Sequence, residues 1–75
     1  MSTRPQKHSL TLRGHRTSVS LEPEFWTEFR QIATRRNIPI NKLAAEIDEA
    51  RGTEIGLASA IRLFVLKDLK DRLPD

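Results

Sequence analysis

The chain has 75 residues and a mass of 8.6 kDa, room for one small domain. It contains no cysteine and only two histidines, His8 and His15, which excludes disulfide staples and thiolate metal sites and leaves too few ligands for a structural metal. Hydrophobic residues make up 37%, lean for a domain that buries only about 60% of its unfolded surface, so an identical second subunit is expected to complete the core.

The net charge of +3 is unevenly placed. Residues 1–16 carry Arg4, Lys7, Arg13 and Arg16 and no acid, so all the excess positive charge lies there. Two readings stand side by side. One is a solvated basic tail; the other is an edge that binds a polyanion, because Lys and Arg beside phosphates release counterions. No run of eighteen apolar residues occurs, so no membrane span is expected. The polar residues 1–7 lack the apolar stretch of a secretion signal, and a cytoplasmic protein is expected.

Residues 1–8 are polar, with Pro5 and no periodicity, and are expected to form a disordered basic arm. The domain is placed at 9–72, with a short tail at 73–75. Ser9-Leu10-Thr11-Leu12-Arg13 alternates polar and apolar as a half-buried strand does. Gly14-His15 interrupts it, and Arg16-Thr17-Ser18-Val19-Ser20-Leu21 alternates again, so strands are expected at 9–13 and 16–21. Thr17, Val19 and Leu21 share one face of the second strand, and Arg16, Ser18 and Ser20 the other. Apolar positions switch from even numbers (Leu10, Leu12) to odd ones (Val19, Leu21), which a turn or bulge at Gly14 explains.

A first helix is expected over 23–36. Pro23 suits its first position, acids cluster at its start and arginines at its end, and Phe25, Phe29, Ile32 and Ala33 form one apolar stripe. Trp26 flanks that stripe as a packing residue. Asn37-Ile38-Pro39-Ile40 ends the helix, since the residue before proline avoids helical angles. A second helix is expected over 41–51, capped by Asn41 and stopped by Gly52. A third, over 57–72, is apolar nearly all round in its first half, as a helix buried on most sides is. It is therefore expected to lie in a subunit interface.

Catalysis finds no support in these residues. Tyrosine and cysteine are absent, no glycine-rich phosphate loop occurs, and the carboxylates alternate with basic residues instead of pairing in an apolar setting. No enzyme activity, cofactor or metal is expected. The order of elements says more. A lone strand leaves a row of unpaired N–H and C=O groups, which the same strand of a second chain can satisfy around a twofold axis. One face of that ribbon would cap a helical core. The other would present Arg16, Ser18 and Ser20 twice, and a two-stranded ribbon fits the major groove of DNA, where arginine bridges guanine O6 and N7.

The run Arg16-Thr17-Ser18-Val19-Ser20-Leu21-Glu22-Pro23-Glu24-Phe25-Trp26, followed by an amphipathic helix, a loop and a second helix, resembles the ribbon-helix-helix proteins, the class of the Arc and methionine repressors. Gly14-His15-Arg16-Thr17-Ser18 and Ala60-Ile61-Arg62-Leu63-Phe64-Val65-Leu66 are similar to a subfamily of small bacterial members, over roughly residues 8–70. The resemblance implies a mainly α fold with a short N-terminal β-ribbon, as an intertwined homodimer; this chain departs from the simplest members by adding an insertion around residues 52–56 and a C-terminal helix. It implies base contacts from Arg16, Ser18 and Ser20, and a phosphate grip at Asn41, Lys42 and Leu43; the basic residues Arg4, Lys7 and Arg13 are expected, from their charge, to track the flanking backbone. Val19, Leu21, Phe25, Ile61, Phe64 and Val65 are the expected dimer interface.

The function so implied is that of a dimeric, sequence-specific regulator of transcription, a bacterial repressor or autoregulator, binding double-stranded DNA and itself and able to assemble further on DNA. Two alternatives remain: an antitoxin, disfavoured because the last helix runs almost to Asp75 and leaves no spare tail, and a protein-interaction dimer that kept the fold without DNA binding. One feature favours the last. If residues 9–13 pair with 16–21, the dimer holds four strands, whereas a groove about 12 Å wide accepts two.

Overall fold

The computed structural model describes residues 4–74. They form β1 (Gln6–Leu12), β2 (His15–Leu21), α1 (Pro23–Arg35), α2 (Ile40–Ala50) and α3 (Leu57–Arg72). The strands make an antiparallel hairpin in which Leu12 lies opposite His15 and Gln6 opposite Leu21. Arg13 (φ 51°) and Gly14 (φ 81°) occupy the two-residue loop. Two successive positive φ angles mark the turn whose twist matches that of the flanking strands. The turn thus falls on Arg13-Gly14, and His15, expected in it, opens β2. No bulge is needed for the parity switch, because a two-residue loop sets even positions opposite odd ones: Leu10 faces Thr17 and His8 faces Val19.

β1 also begins earlier than its apolar alternation suggested. Gln6, Lys7 and His8, expected in a disordered arm, are strand. The His8 ring stacks on Trp26 of α1 with centroids 3.8 Å apart and planes 6° from parallel. This long-range contact pins the start of the hairpin to the helix.

Helix α1 opens on Pro23, with Glu22 in extended conformation before it. It closes on Asn37 (φ 57°), with Ile38 N–H donating to the Ala33 carbonyl and Asn37 N–H to that of Thr34, the paired bonds of a left-handed helix stop. α2 starts at Ile40, one residue before the expected start, with Pro39 as its cap. Asn41 is consequently inside the first turn and makes no cap; its Oδ1 instead accepts the Thr11 N–H of β1 at 3.1 Å. Between α2 and α3, Arg51 ties the loop together by donating to Asp48 (2.8 Å) and to the Ile55 carbonyl (2.6 Å).

Leu10, Val19 and Leu21 from the hairpin meet Phe29 and Ile32 of α1, Leu43 and Ile47 of α2, and Ile61 and Val65 of α3 in one core. Each such side chain contributes about 1.5–3 kcal/mol on burial. Val19, Leu21, Ile61 and Val65, expected at a subunit interface, are buried within the single chain, where α3 packs against β2 and α1. Its far end is held by Asp68, which accepts from Arg35 (3.1 Å) and Arg72 (2.9 Å) and lies 3.6 Å from Arg36. Burial pushes the Asp68 carboxyl up, and the Arg72 hydrogen bond and the three guanidinium charges outweigh it and hold it below its ordinary value. The apolar surface that α3 leaves uncovered lies elsewhere, on Leu63, Leu66 and Leu69, and continues to Leu73 just past its end.

Candidate nucleic-acid interface

Side chains opposite one another in an antiparallel pair share a face. The buried Leu10, Val19 and Leu21 fix which face is inner. The outer face therefore consists of Lys7 opposite Ser20, Ser9 opposite Ser18, and Thr11 opposite Arg16. All six are exposed. Four are hydroxyl residues, two are cations, and no acid occurs before Glu22. Among the described residues neither Lys7 nor Arg16 makes a salt bridge, which leaves two cations on this face uncompensated. β1 pairs with β2, and in this chain Arg16, Ser18 and Ser20 remain exposed to solvent.

The two edges of the hairpin differ. Hydrogen-bonded and non-hydrogen-bonded pairs alternate along an antiparallel ladder. A two-residue loop is closed by a pair of the first kind, so Arg16, Ser18 and Ser20 turn their backbone groups away from β1, and Lys7, Ser9 and Thr11 theirs away from β2. At the β1 edge, α2 supplies partners. Asn41 accepts the Thr11 N–H, while Arg13 forms an ion pair with Glu49 and donates to the Ala45 carbonyl at 3.4 Å. At the β2 edge, the contact among the described residues is Arg62 Nη2 with the Ser20 carbonyl at 3.5 Å.

Arg62 is anchored more firmly by Glu22, to which its Nε and Nη2 donate at 2.8 and 3.0 Å. This two-bonded pair joins α3 to the end of β2. The Arg62 hydrogen bond holds the Glu22 carboxyl below its ordinary value, assisted by a backbone hydrogen bond. Arg62 also lies over the Phe25 ring at 6.0 Å, and Arg36 over Phe64 at 5.0 Å. Phe25 and Phe64 are half-buried rims of the core.

Asn41, Lys42 and Leu43, expected to head α2 and grip a phosphate, lie further into the helix, which begins at Ile40. The Lys42 and Leu43 amides already donate to the Pro39 carbonyl, at 3.0 and 3.1 Å, and the Leu43 side chain is in the core. The amides heading the helix, for which a helix supplies no acceptor, are those of Ile40 and Asn41. The Lys42 side chain is exposed beside them. Arg4 is exposed ahead of β1, and Arg13 is turned to α2. Ser9 and Thr11 are outer-face residues that sequence reasoning missed. The parity switch carried the signal, since it already places them opposite Ser18 and Arg16. No helix among the described residues is long and apolar enough to cross a membrane, and no cluster of three potential metal ligands occurs among them.

A polar β-ribbon backed by amphipathic helices is the architecture of a ribbon-type DNA-binding domain. The chain belongs to the ribbon-helix-helix domain family, whose model matches residues 5–69, and α3 is a C-terminal helix added to that plan. The family is a DNA-binding regulatory fold whose members generally act on transcription as dimers. No curated protein and no solved structure matches the chain.

Proposed function

We propose that this chain is a sequence-specific DNA-binding regulator, a repressor or autoregulator of the bacterial cytoplasm, that reads the major groove as a homodimer. The observation that carries the reading is the outer ribbon face: six exposed polar side chains, two of them cationic, none acidic. The β2 edges of two chains pair around a twofold axis, which satisfies the outward backbone groups of Arg16, Ser18 and Ser20. Arg16 then bridges guanine O6 and N7, and the two serine hydroxyls donate or accept at neighbouring bases. Arg4, Lys7, the Ile40 and Asn41 amides and the Lys42 ammonium meet phosphates; Arg13 joins them on leaving Glu49. Phe25 and Phe64 rim the interface, while Val19, Leu21, Ile61 and Val65 support it from within each chain.

The test is fluorescence anisotropy of the protein on a labelled duplex selected from a random-sequence pool. With six to ten phosphates neutralised, affinity falls about 10³- to 10⁵-fold between 50 and 200 mM salt. Absence of binding to any duplex at low salt contradicts the reading.

A second reading, a protein-interaction dimer without DNA binding, is favoured by the width of a four-stranded sheet and by the leucines exposed on α3, with Leu63 57% and Leu66 50% exposed. It requires a stable dimer that binds no duplex at low salt.

A further inference from the structure

The two-stranded limit of the major groove conflicts with a dimer whose every chain brings a hairpin. The conflict resolves if the two strand pairs do different work. Neighbouring strands lie about 4.8 Å apart, so in the order β1, β2, partner β2, partner β1 the outermost strands are about 14 Å apart. The central pair fits a groove about 12 Å wide. The outer pair falls over its two lips, where the sugar–phosphate backbones run. On β1, Lys7, Ser9 and Thr11 point to the same side as Arg16, Ser18 and Ser20, toward the DNA.

We infer that the outer face of β1 is a phosphate rail: Lys7, Ser9 and Thr11 grip the backbone at the groove lip while β2 reads bases within the groove. The inference rests on the DNA-binding reading above and assigns β1 a role distinct from that of β2. The chemistry of the strand fits it. A lysine supplies an ammonium for counterion release. Two hydroxyls at alternate positions donate to phosphate oxygens, contacts that fix position and carry no sequence information. No carboxylate on β1 or β2 opposes the approach of a polyanion. The rail is also rigid, because the Thr11 N–H is held by Asn41 and the opposite end of β1 is stacked through His8 on Trp26.

The experiment compares the wild type with the triple variant Lys7→Thr, Ser9→Ala, Thr11→Val on the selected duplex and on a scrambled one. All three positions are exposed, and the replacements keep a strand, so circular dichroism and thermal unfolding should match the wild type. The expected result is a loss of about ten- to a hundredfold near 0.1 M salt, equal on both duplexes, with the slope of log K against log salt shallower by about two as two lysines are removed per dimer. Ethylation interference with the wild-type protein should locate sensitive phosphates on both lips of the groove. Unchanged affinity and slope overturn the rail, and so does a loss confined to the selected duplex, which would make β1 a base reader. Failure of the wild type to bind either duplex overturns the DNA reading itself, and is seen before any variant is made. A triple variant that does not fold is replaced by the single Lys7→Thr chain, whose expected slope change is the same.

Discussion

The two faces of the β1–β2 hairpin share one backbone and one register, and they have opposite fates. The inner face places Leu10, Val19 and Leu21 in the core, at 3%, 4% and 0% exposure. The outer face buries nothing: Lys7, Ser9, Thr11, Arg16, Ser18 and Ser20 all remain in solvent. Alternation thus separates the residues that make the fold from those free to bind. Stability and binding should be separable by mutation, strand position by strand position.

The comparison breaks most visibly on the buried side. Phe29→Ala empties the position beneath the hairpin and should cost about 3–5 kcal/mol in urea unfolding, a large share of the roughly 4–11 kcal/mol available to a chain of this size. A shift below 1 kcal/mol would mean that the core does not close within one chain. Gly14→Val puts a branched side chain at φ 81° and should lose about 1–2 kcal/mol, with the register weakened across both faces. Asn41→Ala leaves the Thr11 N–H to water and should cost about 1 kcal/mol, loosening the β1 edge first; hydrogen exchange at Thr11 reads this directly.

Acid should act at the far edge. Glu22 has its carboxyl held below its ordinary value by the Arg62 hydrogen bond, so its contribution is complete above the unfolded value and is lost as pH falls through the lower folded one. Asp68 behaves in the same sense. Denaturation midpoints should decline as the solution is acidified through and below the ordinary carboxylate range, and Glu22→Gln should flatten the decline; a midpoint that rises on acidification would reverse the sign of both pairs.

How much of this was legible in the sequence follows the range of the interactions. The parity switch between Leu10-Leu12 and Val19-Leu21 is local, and it encodes the hairpin and both its faces. The ribbon-helix-helix plan is carried by the run Arg16 to Trp26 and by the later apolar helix. What was missed depends on contacts between distant residues. β1 reaches Gln6 because His8 finds Trp26, and nothing in residues 6–8 shows that by itself. Asn41 reads as a cap, and becomes a strand partner because α2 starts one residue early, at Ile40. The apolar first half of α3 reads as a subunit interface; the return of that helix over β2, joined by Arg62 and Glu22, buries Ile61 and Val65 within the chain itself. Arg13 reads as a contact to the DNA backbone, and the sequence around it does not show that the turn sets it beside Glu49.

The central claim is that the outer face binds DNA without bearing on the fold, and Arg16→Ala tests it most directly. Thermal unfolding and anisotropy on selected and scrambled duplexes are measured on the same preparation. The account predicts stability within about 0.5 kcal/mol of wild type and a loss of about 1–3 kcal/mol in discrimination between the duplexes. A variant that folds normally and discriminates as well as the wild type would contradict it.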